Sequence, residues 1–144
     1  MEEDKKTELP HDFAQTLHER ARSSSNERRK LLVLLATAGI GVFFIVMTNE
    51  INPALSIGQK IVAFLSVIFL ASTVISGIIA LHADARRNYN WALALTSIKE
   101  SDVTFYKMVR DKWFKIKKIS DFVLYASFVL AILLSFLFVV LRII

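Results

Sequence analysis

His11, His18 and His82 are the residues best placed by type to hold a metal ion or to move a proton near neutral pH. They do not share the i, i+3 or i+4 spacing that a helical metal site uses, and they read as surface or interfacial side chains. Glu100 and Asp102 form the nearest thing to a catalytic carboxylate pair, but they fall at a charged turn where water would solvate both and nothing would raise a pKa for acid catalysis. Serines are plentiful and lack a positioned base. The absence of cysteine rules out thiolate nucleophiles, disulfides and cysteine-ligated metals. No catalytic constellation results, and the chain is expected to be non-enzymatic, with no cofactor and no identifiable small-molecule substrate.

The elements that carry these residues are unusually apolar. Leu31 to Asn49, Ile61 to His82 and Phe122 to Leu141 contain no charged residue, and each matches the roughly 20 apolar residues that cross the hydrocarbon core of a bilayer as a helix. A core helix of a water-soluble protein keeps a polar face, whereas these are apolar all round. The pattern predicts an all-α membrane protein divided into a segment 1–30 containing a helix, a first span at 31–49, an outer loop at 50–60, a second span at 61–82, a charged hairpin at 83–120, and a third span with a short outer tail at 121–144. None of the spans carries an ionisable residue in its middle, which argues against coupled transport, proton pumping and voltage sensing.

Orientation follows from the basic residues. Of 18 Lys and Arg, seven precede the first span and nine lie between the second and third, leaving Lys60 in the loop between the first two and Arg142 in the tail. Short loops rich in Lys and Arg stay cytoplasmic, so the N-terminus and residues 83–120 are expected inside and the tail outside, in a bacterial inner membrane. This asymmetry accounts for the net charge of +5 without nucleic-acid binding. The charge-dense first 30 residues do not read as a cleavable signal peptide, and the first span is expected to direct its own insertion.

The segment 83–120 has no proline or glycine and repeats apolar residues at helical spacing, which predicts a helical hairpin continuing the second and third spans. Ser101-Asp102 is the expected turn, since either side chain can cap a helix. Arms of about 18 residues would reach about 27 Å from the membrane. A helix from Asp12 to Lys30 would complete a three-helix stalk, although Ser23-Ser24-Ser25-Asn26 is poor helix material. With the turn at Ser101-Asp102, Trp91 and Trp113 would stand level and could clasp the two arms as an aromatic pair.

Small residues form stripes at four-residue steps: Thr37 and Gly41 on the first span, Ser72, Ser76 and Ala80 on the second, Ser127, Ala131 and Ser135 on the third. Such stripes let helices approach closely in lipid, where packing drives association. They predict helix contacts within a copy or between copies. At the inner boundary, Arg28, Arg29, Lys30, Lys112, Lys115, Lys117 and Lys118 are expected to meet anionic headgroups.

A basic, serine-containing helix (Arg20-Ala-Arg-Ser-Ser-Ser-Asn-Glu-Arg-Arg-Lys30), two spans joined by a short outer loop and a charged helix follow in that order. Over residues 11 to about 100 this order of parts resembles the SLATT class of small bacterial membrane proteins, which occur in conflict and antiphage systems. The likeness is architectural, without a diagnostic motif, and the third span departs from the usual two-span form. It implies an oligomeric pore-forming or membrane-perturbing effector with a role in antiviral defence. The residues themselves leave two other classes open: an accessory or assembly subunit of a larger membrane complex, and a homo-oligomeric passive channel. In all three the partners are the bilayer and other polypeptide chains.

Overall fold

The computed structural model describes residues 11–48, 55–97 and 99–143. They form three helices, α1 (His11–Thr48), α2 (Ile57–Thr96) and α3 (Glu100–Ile143), and no strand occurs among the described residues. Each helix is long and apolar enough to cross a membrane, as an integral membrane protein requires. Helix α1 continues through Ser23–Asn26, where the Ser23 hydroxyl donates to the Glu27 carboxylate one turn on.

Helix α2 starts at a capping box. The Ser56 hydroxyl accepts from the Gln59 backbone N–H, and the Gln59 side chain accepts from the Ser56 N–H. The amide of Gln59 then donates across to the Leu141 carbonyl at 2.7 Å, which ties the start of α2 to the end of α3. At its other end α2 closes at Ser97, whose hydroxyl and backbone N–H both donate to the Leu93 carbonyl.

Helix α2 thus closes at Ser97 and α3 opens at Glu100, so the chain has already turned before Ser101-Asp102. Asp102 and Val103 already donate their backbone N–H groups to the Lys99 carbonyl. Glu100 and Asp102 occupy the first turn of α3, where carboxylates favour the positive end of the helix dipole. Moving the turn resets the register. Gln59 meets Leu141, Thr73 meets Ser127, Asp84 meets Lys117 and Trp91 meets Arg110, so partners on these antiparallel helices have residue numbers adding to about 200. Trp91 and Trp113 are thus about one helical turn out of level. Instead of clasping each other, Trp91 lies under the Arg110 guanidinium and Trp113 packs edge-on against His82, with ring centroids 5.6 Å apart.

The apolar halves pack around small side chains. Ala36, Ala63, Ala131 and Leu70 are buried, together with an edge-to-face pair, Phe43 and Phe138, that joins α1 to α3. Outside this core the helices turn large apolar residues outward, among them Leu34, Phe44, Phe64, Ile75 and Phe136. Only 11% of the apolar window of α1 is buried within the protein. A belt of that extent is costly in water and compatible with lipid.

Candidate functional site

Charges gather where the apolar runs end. Arg29 closes the polar part of α1, Asp84 follows the apolar run of α2, and Lys117 and Asp121 precede that of α3. Packing three helices side by side brings these ends to one level. Arg29 donates through Nε to Asp121 Oδ1 at 2.6 Å and through Nη2 to Asp121 Oδ2 at 2.8 Å, while its Nη1 donates to Asn26 Oδ1 at 2.7 Å. The two-pronged fit is the strongest geometry open to a guanidinium and a carboxylate. With its side chain 3% exposed, Arg29 depends on these partners for compensation of its charge.

The second half of this collar joins α2 to α3. Asp84, also 3% exposed, receives Lys117 Nζ at 3.0 Å and Arg87 Nη2 at 3.3 Å on its Oδ1. Arg29–Asp121 thus fixes α1 on α3, and Asp84–Lys117 fixes α2 on α3. The collar ties all three helices together at one level.

On the apolar side of the collar runs a seam of hydroxyls and small residues. Thr73 and Ser127 face each other with their oxygens 2.9 Å apart, buried. Carbonyls one turn back on their own helices, Phe69 and Val123, stand 2.9 and 2.7 Å from the same hydroxyls. One proton serves the contact across the seam and the other a backbone carbonyl, so neither hydroxyl is left unsatisfied in the apolar interior. Ser66 is satisfied in the same way by the Val62 carbonyl. Leu124, Thr73 and Ser66 are the largest fully buried side chains among the described residues, and they lie along this seam.

All three helices meet at Gly77. A Cβ added there would lie 2.3 Å from Val33 Cγ2 of α1 and 3.1 Å from Leu124 Cδ1 of α3. Only glycine admits this contact, because the valine side chain is branched and stiff. Gly39 makes the corresponding contact with Leu70 between α1 and α2.

The stripes divide accordingly. Ser76, Ala80, Ser127 and Ala131 are buried between helices, and Ser72 and Ser135 are half-buried. Thr37 and Gly41 are exposed, and a Cβ at Gly41 would meet nothing within 4 Å. Within one copy, α1 uses Ala36, Gly39 and Phe43 for packing, and the Thr37–Gly41 pair points away. Among the basic residues expected at headgroups, Arg28, Lys30, Lys112, Lys115 and Lys118 are exposed. Arg29 and Lys117 instead turn inward, to Asp121 and Asp84, carboxylates that the packing of the helices brings within reach. The side chains of His11 and His18 lie outside the described set.

Sequence reasoning missed Asp84, Asp121 and Gly77. The signal for the two acids is their position, each a lone carboxylate at the edge of an apolar run in an otherwise basic segment. Nothing in the sequence separates Gly77 from the small residues around it. No protein-family model, no curated protein and no solved structure matches this chain.

Proposed function

We propose that this chain is a three-span inner-membrane protein, N-terminus and charged hairpin inside, that assembles with copies of itself into a membrane-permeabilising unit. The orientation rests on the split of Lys and Arg between the two sides. A reporter fused after residue 55 or at residue 144 should read as outside, and a cytoplasmic reading at either overturns the topology.

The observation that carries assembly is the outward Thr37–Gly41 face of α1. The other small residues named above are wholly or partly taken up by contacts inside the copy, whereas this pair is exposed. A polar path would form between copies, because the hydroxyls of Thr73, Ser127 and Ser66 are buried within one copy. The effector role rests on the SLATT resemblance and on the absence of a catalytic grouping in the sequence. Gly41→Leu is the sharp test, since its own copy leaves room for the side chain. Release of a trapped dye from vesicles should fall with Gly41→Leu while helix content and thermal stability stay unchanged. Undiminished release, or no release by the wild type, sinks the permeabilising role.

A specific observation favours a second reading. Leu95, Phe105 and Met108, on the hairpin beyond the collar, are all more than half exposed. An apolar patch there suits an accessory subunit docked on a larger complex. Stable co-purification with an unrelated membrane protein, lost on Phe105→Ser with Met108→Ser, would support that reading over self-assembly.

A further inference from the structure

Beyond the collar a cleft of about 400 Å³ opens between the arms of α2 and α3, lined by Arg87, Asn88, Trp91, Arg110, Asp111 and Phe114. Its two arginines are held in place by aromatic rings. The Arg110 guanidinium carbon lies 4.7 Å from the centre of the Trp91 ring, and that of Arg87 lies 5.7 Å from the centre of Phe114. A guanidinium stacked on a ring keeps its N–H edge free for an acceptor in the plane, the arrangement that suits phosphate oxygens. From these paired, pre-positioned guanidinia we infer that the cleft is a binding site for a phosphate group, carried by a small soluble anion or by a lipid headgroup.

Each arginine already has one acid, and the two acids differ in what they leave available. Asp84 takes Arg87 through one nitrogen at 3.3 Å and is also held by Lys117, so Arg87 keeps most of its donors. Asp111 accepts from Nε and Nη2 of Arg110 on a single oxygen, at 2.9 and 2.7 Å. Its side chain is 62% exposed. An exposed pair of adjacent residues is weak, and Asp111 can rotate into water when an anion arrives. Asp111 therefore acts as a stand-in for the ligand, occupying the donors that a phosphate would take.

The height of the cleft explains why both sources of phosphate belong to one proposal. Its residues lie three to seven positions beyond Asp84 and Lys117, which is about 5–10 Å along the helices. With the hydrocarbon edge taken at the collar, where the apolar runs end, that distance reaches the outer part of a headgroup layer. A lipid phosphate can reach it from below and a dissolved phosphate compound from above. Holding the arms together is the competing role for these arginines, and it predicts no ligand.

The full-length protein in phosphatidylcholine nanodiscs, titrated calorimetrically with inorganic pyrophosphate, separates these roles. Saturable binding is expected, weakened about tenfold or more by Arg110→Gln, the loss of one charge-assisted contact. Asp111→Asn should tighten it, because it removes the competing carboxylate; a gain of affinity cannot come from misfolding. Lys99→Gln, exposed and outside the cleft, should leave it unchanged. Adding phosphatidylglycerol to the nanodisc assigns the source. If it displaces pyrophosphate from the wild type, headgroup phosphate reaches the site; if it does not, the ligand is soluble. No saturable binding, equal loss in Arg110→Gln and Lys99→Gln, or no gain in Asp111→Asn overturns the site.

Discussion

Helices α2 and α3 are bonded to each other from end to end, while the contacts that hold α1 fall within one stretch, residues 29 to 43. Along the first pair run the Gln59–Leu141 bond, the Thr73–Ser127 hydroxyls, the Asp84–Lys117 ion pair and the Arg110–Trp91 stack. On α1 the attachments are Arg29 to Asp121, Val33 against Gly77, Gly39 against Leu70, and Phe43 against Phe138. The difference teaches how a small chain can divide its labour. One helical pair spends its small and polar residues on internal register, and α1 leaves Thr37 and Gly41 exposed.

The contrast is most exposed at the Arg29 clamp. Asp121→Ala would leave a nearly fully buried guanidinium with only Asn26, and should destabilise the fold by about 3–5 kcal/mol. Arg29→Ala should cost less, because Asp121 is 23% exposed and can reach water. Reversible unfolding in mixed micelles measures both, and a larger loss for Arg29→Ala would contradict the burial order. Gly77→Leu comes next. It overpacks the junction of all three helices and should cost about 1–3 kcal/mol or somewhat more. Gly41→Leu, on the same measurement, should cost close to nothing.

Smaller again is the seam. Ser127→Ala removes the hydroxyl contact between α2 and α3 and should lower stability by about 0.6 kcal/mol, the average for such bonds between membrane helices. An effect comparable to that of Asp121→Ala would mean that the seam, and not the collar, holds the pair together.

The three apolar runs announced the helices, because their length and lack of charge permit little else. Register was hidden for a local reason. Ser97, Glu100, Ser101 and Asp102 all have capping side chains, so the sequence 97–102 offers several turns, and a shift of a few residues separates Trp91 from Trp113. The stripe on α1 was ambiguous because Ala36, Thr37, Ala38, Gly39 and Gly41 are all small. Size alone cannot say which side of that helix meets α2, and the contact at Gly39 depends on where Leu70 falls. The collar was harder still: that Arg29 and Lys117 turn inward follows from acids 92 and 33 positions away, which only packing brings near.

The division between a bonded pair and an outlying helix is tested most directly by distance between copies. The chain has no native cysteine, so single spin labels can be placed at will. Thr37→Cys on α1 and Phe136→Cys on the exposed side of α3 would be compared by dipolar spectroscopy in nanodiscs. Assembly through α1 predicts label separations of about 10–20 Å at position 37, one to two helix diameters, and longer ones at 136. Copies that show no dipolar coupling, or that approach through position 136 instead, would contradict it.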